Sequence, residues 1–122
     1  MKTTLWIVAA LTLIIAAGAV AGDDSDLMQE KTRHAEGIFR YLALGDLPKV
    51  EVEASVLEKL TVKAGFEGKG DDYIEYGEQF LKTVRALKKE AGLGNMAGSY
   101  YEFSRMAGMC FSCHQHLRDG ED

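Results

Sequence analysis

Proline is almost absent from this 122-residue chain, and cysteine occurs only twice. With Pro48 the single proline, little in the chain breaks long helices. Cys110 and Cys113 lie too close together to close a useful loop, which excludes a small domain held by disulfide staples. Alternating runs of Thr, Val and Ile are lacking as well, so strand signals are weak. An excess of basic residues is the fourth absence: 14 Lys and Arg stand against 19 Asp and Glu, a formal charge of −5. No nucleic acid is expected as a partner, since phosphate backbones select basic surfaces. Acidity of this size suits solubility, or a basic or mixed-charge protein partner.

The one long hydrophobic run stands at the start. Met1-Lys2 supplies a short basic opening, Leu5 to Ala17 is apolar apart from Thr12, and Ala19-Val20-Ala21 is a small-residue site. Residues 1–21 therefore read as a signal peptide cleaved after Ala21, with Asp23-Asp24 just beyond it. An uncleaved anchor is the rival reading, because the stretch from Leu5 to Ala21 approaches bilayer-spanning length. Cleavage after residue 21 leaves 101 residues, room for one domain over 22–122 with a single core. That segment loses only Lys2 among its charges and carries about −6.

Periodicity predicts four helices. The first runs from Asp26 to Leu44, capped by Ser25 or Asp26 and ended by Gly45, with Met28, Ala35, Ile38, Phe39 and Leu42 on its inner face. A second starts near Asp46-Leu47-Pro48 and carries Val50, Ala54, Leu57, Leu60 and Ala64 inward until Gly65. After a glycine-rich loop, 65–70, the third begins at Asp71 or Asp72 and repeats Tyr73, Gly77, Phe80, Val84, Leu87 and Ala91 in steps of four and three. Gly92-Leu93-Gly94-Asn95 connects it to a fourth, from Met96 to Leu117, whose seam is Met96, Tyr100, Phe103, Ala107, Cys110, His114 and Leu117. Short connections favour antiparallel neighbours, so the expected fold is all-α, an antiparallel four-helix bundle.

Cys110-Phe111-Ser112-Cys113-His114 carries the chemistry. Two thiols one helical turn apart can each form a thioether to a vinyl group on one porphyrin edge, and the next histidine then projects its imidazole at the iron. The motif predicts one haem c, attached through Cys110 and Cys113, with His114 as proximal iron ligand. Attachment of this kind belongs outside the cytoplasm and agrees with the export signal. A thioredoxin-like dithiol wants a strand-to-helix junction, which is missing, and a zinc site has only His34 and His116 as further histidines.

A Cys-x-x-Cys-His motif within the last of four helices resembles the class II c-type cytochromes, the cytochrome c-prime family. The segment Cys110-Phe111-Ser112-Cys113-His114-Gln115-His116-Leu117-Arg118 is similar to that family's closing pattern, with a basic residue four places after the histidine. The resemblance implies that Arg118 is a haem-proximal cation; a solvated charge favouring the helix C-terminus is the alternative. Met28, the Leu44-Gly45-Asp46-Leu47 turn, Tyr73, Phe80 and Tyr100 extend the likeness loosely along the chain.

In that family the first helix supplies the distal residue, and some members use a methionine there. Met28 is the candidate sixth ligand. His34, six residues later, points away from the Met28 face, and His116 faces away from His114. Met96, Met106 and Met109 read as packing residues. The function expected is a periplasmic monohaem c-type cytochrome that transfers single electrons to a redox partner protein and needs no enzyme chemistry. The alternative is a c-prime-type haem protein binding a small gas, nitric oxide or carbon monoxide, at an open sixth position beside Met28, Lys31, Thr32 and Ala35. A homodimer is left open. A haem peroxidase ranks third, for want of a distal histidine and arginine in register.

Overall fold

The computed structural model describes residues 23–65 and 70–120, with side chains from 26 onward. Both the leader over 1–21 and residues 66–69 of the loop lie outside the described residues. Four helices follow in order: α1 (Asp23–Leu44), α2 (Leu47–Ala64), α3 (Asp71–Gly92) and α4 (Met96–Asp119). Among the described residues there is no strand, and no helix is long and apolar enough to cross a membrane.

Helix α1 starts three residues before the expected Asp26. Asp26 places negative charge near its start, where the helix dipole favours it. The α1–α2 turn closes on Gly45, whose φ of 72° suits a residue without Cβ. Asp46 N–H donates to Tyr41 O at 2.9 Å and Gly45 N–H to Leu42 O at 3.1 Å, the paired bonds that satisfy orphan carbonyls at a helix end. Asp46 then caps α2, accepting from Lys49 N–H at 3.2 Å. The α3–α4 turn repeats the device: Gly94 has φ 71°, Asn95 N–H donates to Glu90 O at 2.9 Å, and the Asn95 side chain accepts from Gly98 N–H at 3.0 Å. Both turns lie at the same end of an antiparallel bundle.

The core is unevenly shared. Leu47, Val50, Ala54 and Leu57 of α2 and Phe80, Val84, Leu87 and Ala91 of α3 make up most of it, whereas α1 contributes Ile38 and α4 contributes Met106. Consecutive helices pack along their lengths; α1 and α4, which close the ring, touch only thinly. Helices α2 and α3 therefore form a spine, and α1 and α4 flank it. Glu58 pins the spine from outside, accepting from Arg85 Nε at 2.8 Å and Lys88 Nζ at 3.0 Å.

Where α1 and α4 hold apart, two expectations fail. Phe39, expected inside, is 63% exposed. On α4 the buried line runs through Ser99 and Met106, with Phe103, Met109 and Cys113 half-buried beside it, while Met96, Tyr100, Ala107, Cys110, His114 and Leu117 are exposed. At 3.6 residues per turn, the packed face sits about 60° around the helix from the expected seam. The cause is the spine: α4 seats itself on α3, so its predicted seam turns toward α1 and the gap.

Candidate functional site

That gap is a cavity of about 390 Å³. From α1 come Met28, Lys31, Thr32, Ala35, Glu36 and Phe39; from α3, Tyr73, Tyr76, Gly77 and Phe80; from α4, Phe103, Met106, Ala107, Met109, Cys110, Cys113, His114 and Leu117. Its volume lies in the range of small-molecule and cofactor sites, and its lining is largely apolar with a few convergent polar groups. Spacing on α4 explains the grouping. Ala107, Cys110, His114 and Leu117 recur at three and four residues and so share the stripe facing the gap. Aromatic rings from α1 and α4 meet at the lining, where the Phe39 and Phe103 centroids are 6.1 Å apart at 35°.

Four of the five residues singled out by sequence line this one cavity. Cys110, Cys113 and His114 stand on the α4 wall, with Met28 on the α1 wall. Arg118 does not line it; it lies exposed at the end of α4. His114 is exposed as a residue and opens onto the cavity rather than being buried in the core as expected, for the reason given above for α4.

The two thiols are free. Partial burial pushes both Cys110 and Cys113 above the ordinary thiol range, and the positive charge of Lys31 draws them part of the way back. Both are therefore protonated near neutral pH. Lys31 also sets its ammonium over the Phe80 ring, 4.7 Å from the centroid. Sequence reasoning placed Lys31 on the distal wall but missed this contact, which depends on α3 lying across the gap. Thr83 likewise went unnoticed; it is buried, and its hydroxyl lies 3.4 Å from the Met109 sulfur.

The other histidines keep away from the cavity lining, yet neither is idle. His34 is half-buried against α2, donating from Nδ1 to Glu53 Oε2, with Nε2 3.8 Å from Glu30 Oε2. His116, expected in solvent, is half-buried in a separate cleft. Its ring packs 5.4 Å from the Tyr76 ring, and Nε2 is 3.6 Å from Asp72 Oδ2. Met106 is a fully buried packing residue as expected, whereas Met96 is 40% exposed beside Gly45. Among the described residues no group of three or more His, Cys, Asp or Glu side chains is arranged to hold a metal ion by itself.

Chemically, the site offers two thiols and an imidazole on one wall, a thioether on the facing helix, and an apolar interior. Such a set could hold an apolar cofactor through sulfur and nitrogen donors. Compared with family models, curated proteins and solved structures, the chain matches none of them.

Proposed function

We propose that this protein is an exported monohaem c-type cytochrome that transfers single electrons, with His114 and Met28 as the axial ligands of its iron. One observation carries the reading: a single apolar cavity gathers Cys110, Cys113, His114 and Met28 from opposite ends of the sequence. The haem iron, when bound, supplies the one-electron couple. Cys110 and Cys113 hold the group through thioethers, each thiol adding its sulfur and proton across one vinyl group. His114 donates an imidazole nitrogen from the α4 side. Met28 donates its thioether sulfur from α1, a soft ligand that favours the reduced iron. Phe80 and Phe103 shield the inner part of the pocket from water, and Met106 packs at its floor. Arg118, one helical turn beyond His114, supplies positive charge at the protein surface near that end of the cavity. The electron then leaves to a redox partner protein of mixed or basic charge, in the periplasm if the leader is a secretory signal.

The competing reading, a gas-binding protein with an open sixth position, differs only in what Met28 does. Purified holoprotein decides it. A pyridine haemochrome of c type with a methionine-to-ferric charge-transfer band is expected, together with poor carbon monoxide binding by the ferrous form. Met28→Ala should abolish the band and admit carbon monoxide. No covalent haem in the pyridine assay overturns the cytochrome reading altogether; covalent haem without the band moves it to the gas-binding form.

A further inference from the structure

We infer that the His34–Glu53 hydrogen bond is a positioning device that sets the rotation of α1, and so determines which α1 side chain faces the iron. The inference rests on the cytochrome reading above. Its starting point is how loosely the distal wall is anchored. From Asp26 to Gly37 no residue of α1 is buried, and among its described side chains Ile38 is the one buried residue. Helix α4 cannot fix the rotation, because it touches α1 only thinly across the cavity. Packing through Ile38, with Ala35, Tyr41 and Leu42 partly buried beside it, holds the middle and C-terminal half of α1. Met28, however, lies ten residues, nearly three turns, before Ile38, where the Lys31 ammonium over the Phe80 ring is the nearest further contact.

His34 ties that half of α1 to α2. Its Nδ1 donates to Glu53 Oε2, with Glu30 on the other ring nitrogen's side at 3.8 Å. Gly37 makes room for the tie: a Cβ there would sit 3.1 Å from Glu53 Cδ and 3.2 Å from Oε2, tighter than ordinary contact. At about 100° per residue, Met28 lies about 120° around the helix from His34, with Ala35 at about 100° and Phe39 at about 140°. The cavity stripe is thus centred on Met28 when His34 points at α2. Turning α1 by about 40–60° in either direction brings Thr32 or Lys31 to that centre instead. Polar pairs of this kind select one arrangement among several of similar apolar packing.

The test uses haem-loaded full-length protein and reads the methionine-to-ferric band and ferrous carbon monoxide affinity, with far-UV circular dichroism on the same samples. His34→Ala and Glu53→Ala should keep their helicity, weaken the band and raise carbon monoxide affinity on the order of tenfold, the scale on which supporting partners tune metal sites. His34→Gln, which can still donate to Glu53, should restore the band. If the alanine variants lose helicity, the reversed pair His34→Glu with Glu53→His decides: the band returning with the fold supports the lock, and a folded protein without the band overturns it. An unchanged band in helical His34→Ala and Glu53→Ala overturns the lock while leaving Met28 as ligand. A parent protein lacking the band overturns the Met28 reading and the lock's role with it.

Discussion

Single side chains at the turns and on the spine carry measurable shares of stability. Asn95 both caps α4, accepting from Gly98 N–H, and donates to Glu90 Oε2 at 2.6 Å. Asn95→Ala should cost about 1 kcal/mol, the usual value of an N-cap, seen as a lower urea midpoint at unchanged slope. Glu58 governs part of the acid sensitivity. The Arg85 hydrogen bond, then that of Lys88, holds its carboxyl below the ordinary glutamate range. A depressed folded pKa contributes stability that is present above the unfolded value and lost as pH falls through the folded one. Melting temperature should therefore hold from pH 7 to about pH 5 and fall as pH drops below the ordinary glutamate value of about 4.3, and Glu58→Gln should flatten part of that fall. Comparing the two proteins' melting curves across that interval checks it. The exposure of Arg85 and Lys88 keeps the effect modest.

Among the elements, helices α1 and α4 differ sharply from α2 and α3 in what their sequences revealed. On α3 the expected seam is buried from Phe80 to Ala91, where the helix has a neighbour on each side, while Tyr73 and Gly77 are half-buried on the cavity. Leu87→Ala should cost about 2–5 kcal/mol by denaturant unfolding. On α4 the same kind of pattern misled: Tyr100 is 66% exposed, and Tyr100→Ala should change stability by less than about 0.5 kcal/mol. Periodicity locates an apolar stripe but cannot tell a stripe that meets a core from one that meets a cavity. Helix limits near Gly45, Gly65 and Gly94 were legible from glycine and capping chemistry, whereas the start of α1 at Asp23 was not, since the expected caps Ser25 and Asp26 lie within the helix. The site was legible to the extent that Cys110, Cys113, His114 and Met28 share one cavity. The His34–Glu53 tie was not, because residues nineteen apart meet only through helix packing.

At the scale of the whole molecule, the spine of α2 and α3 makes the fold, and the outer pair of helices frames the site. On the proposed reading, covalent haem joins the two flanking helices across a gap where the protein alone offers few contacts. The double variant Cys110→Ala/Cys113→Ala, unable to form either thioether, should then melt at least about 4–8 °C lower than the loaded parent, the shift that about 1 kcal/mol produces in a domain of this size. Equal melting temperatures, measured by circular dichroism on both proteins, count against haem as a structural tie between α1 and α4.

Among the described side chains of α1 only Ile38 is fully enclosed, and that scarcity bears on how such a protein changes over generations. Most substitutions are purged because they push a chain below its stability threshold, and the residues of the distal wall carry little of that load. Met28, Lys31, Thr32 and Ala35 can be exchanged at small cost to folding, while Val50, Leu57, Val84 and Leu87 cannot. On the proposed reading, selection can therefore retune affinity at the iron by altering one helix face and leave the inheritance of the scaffold intact.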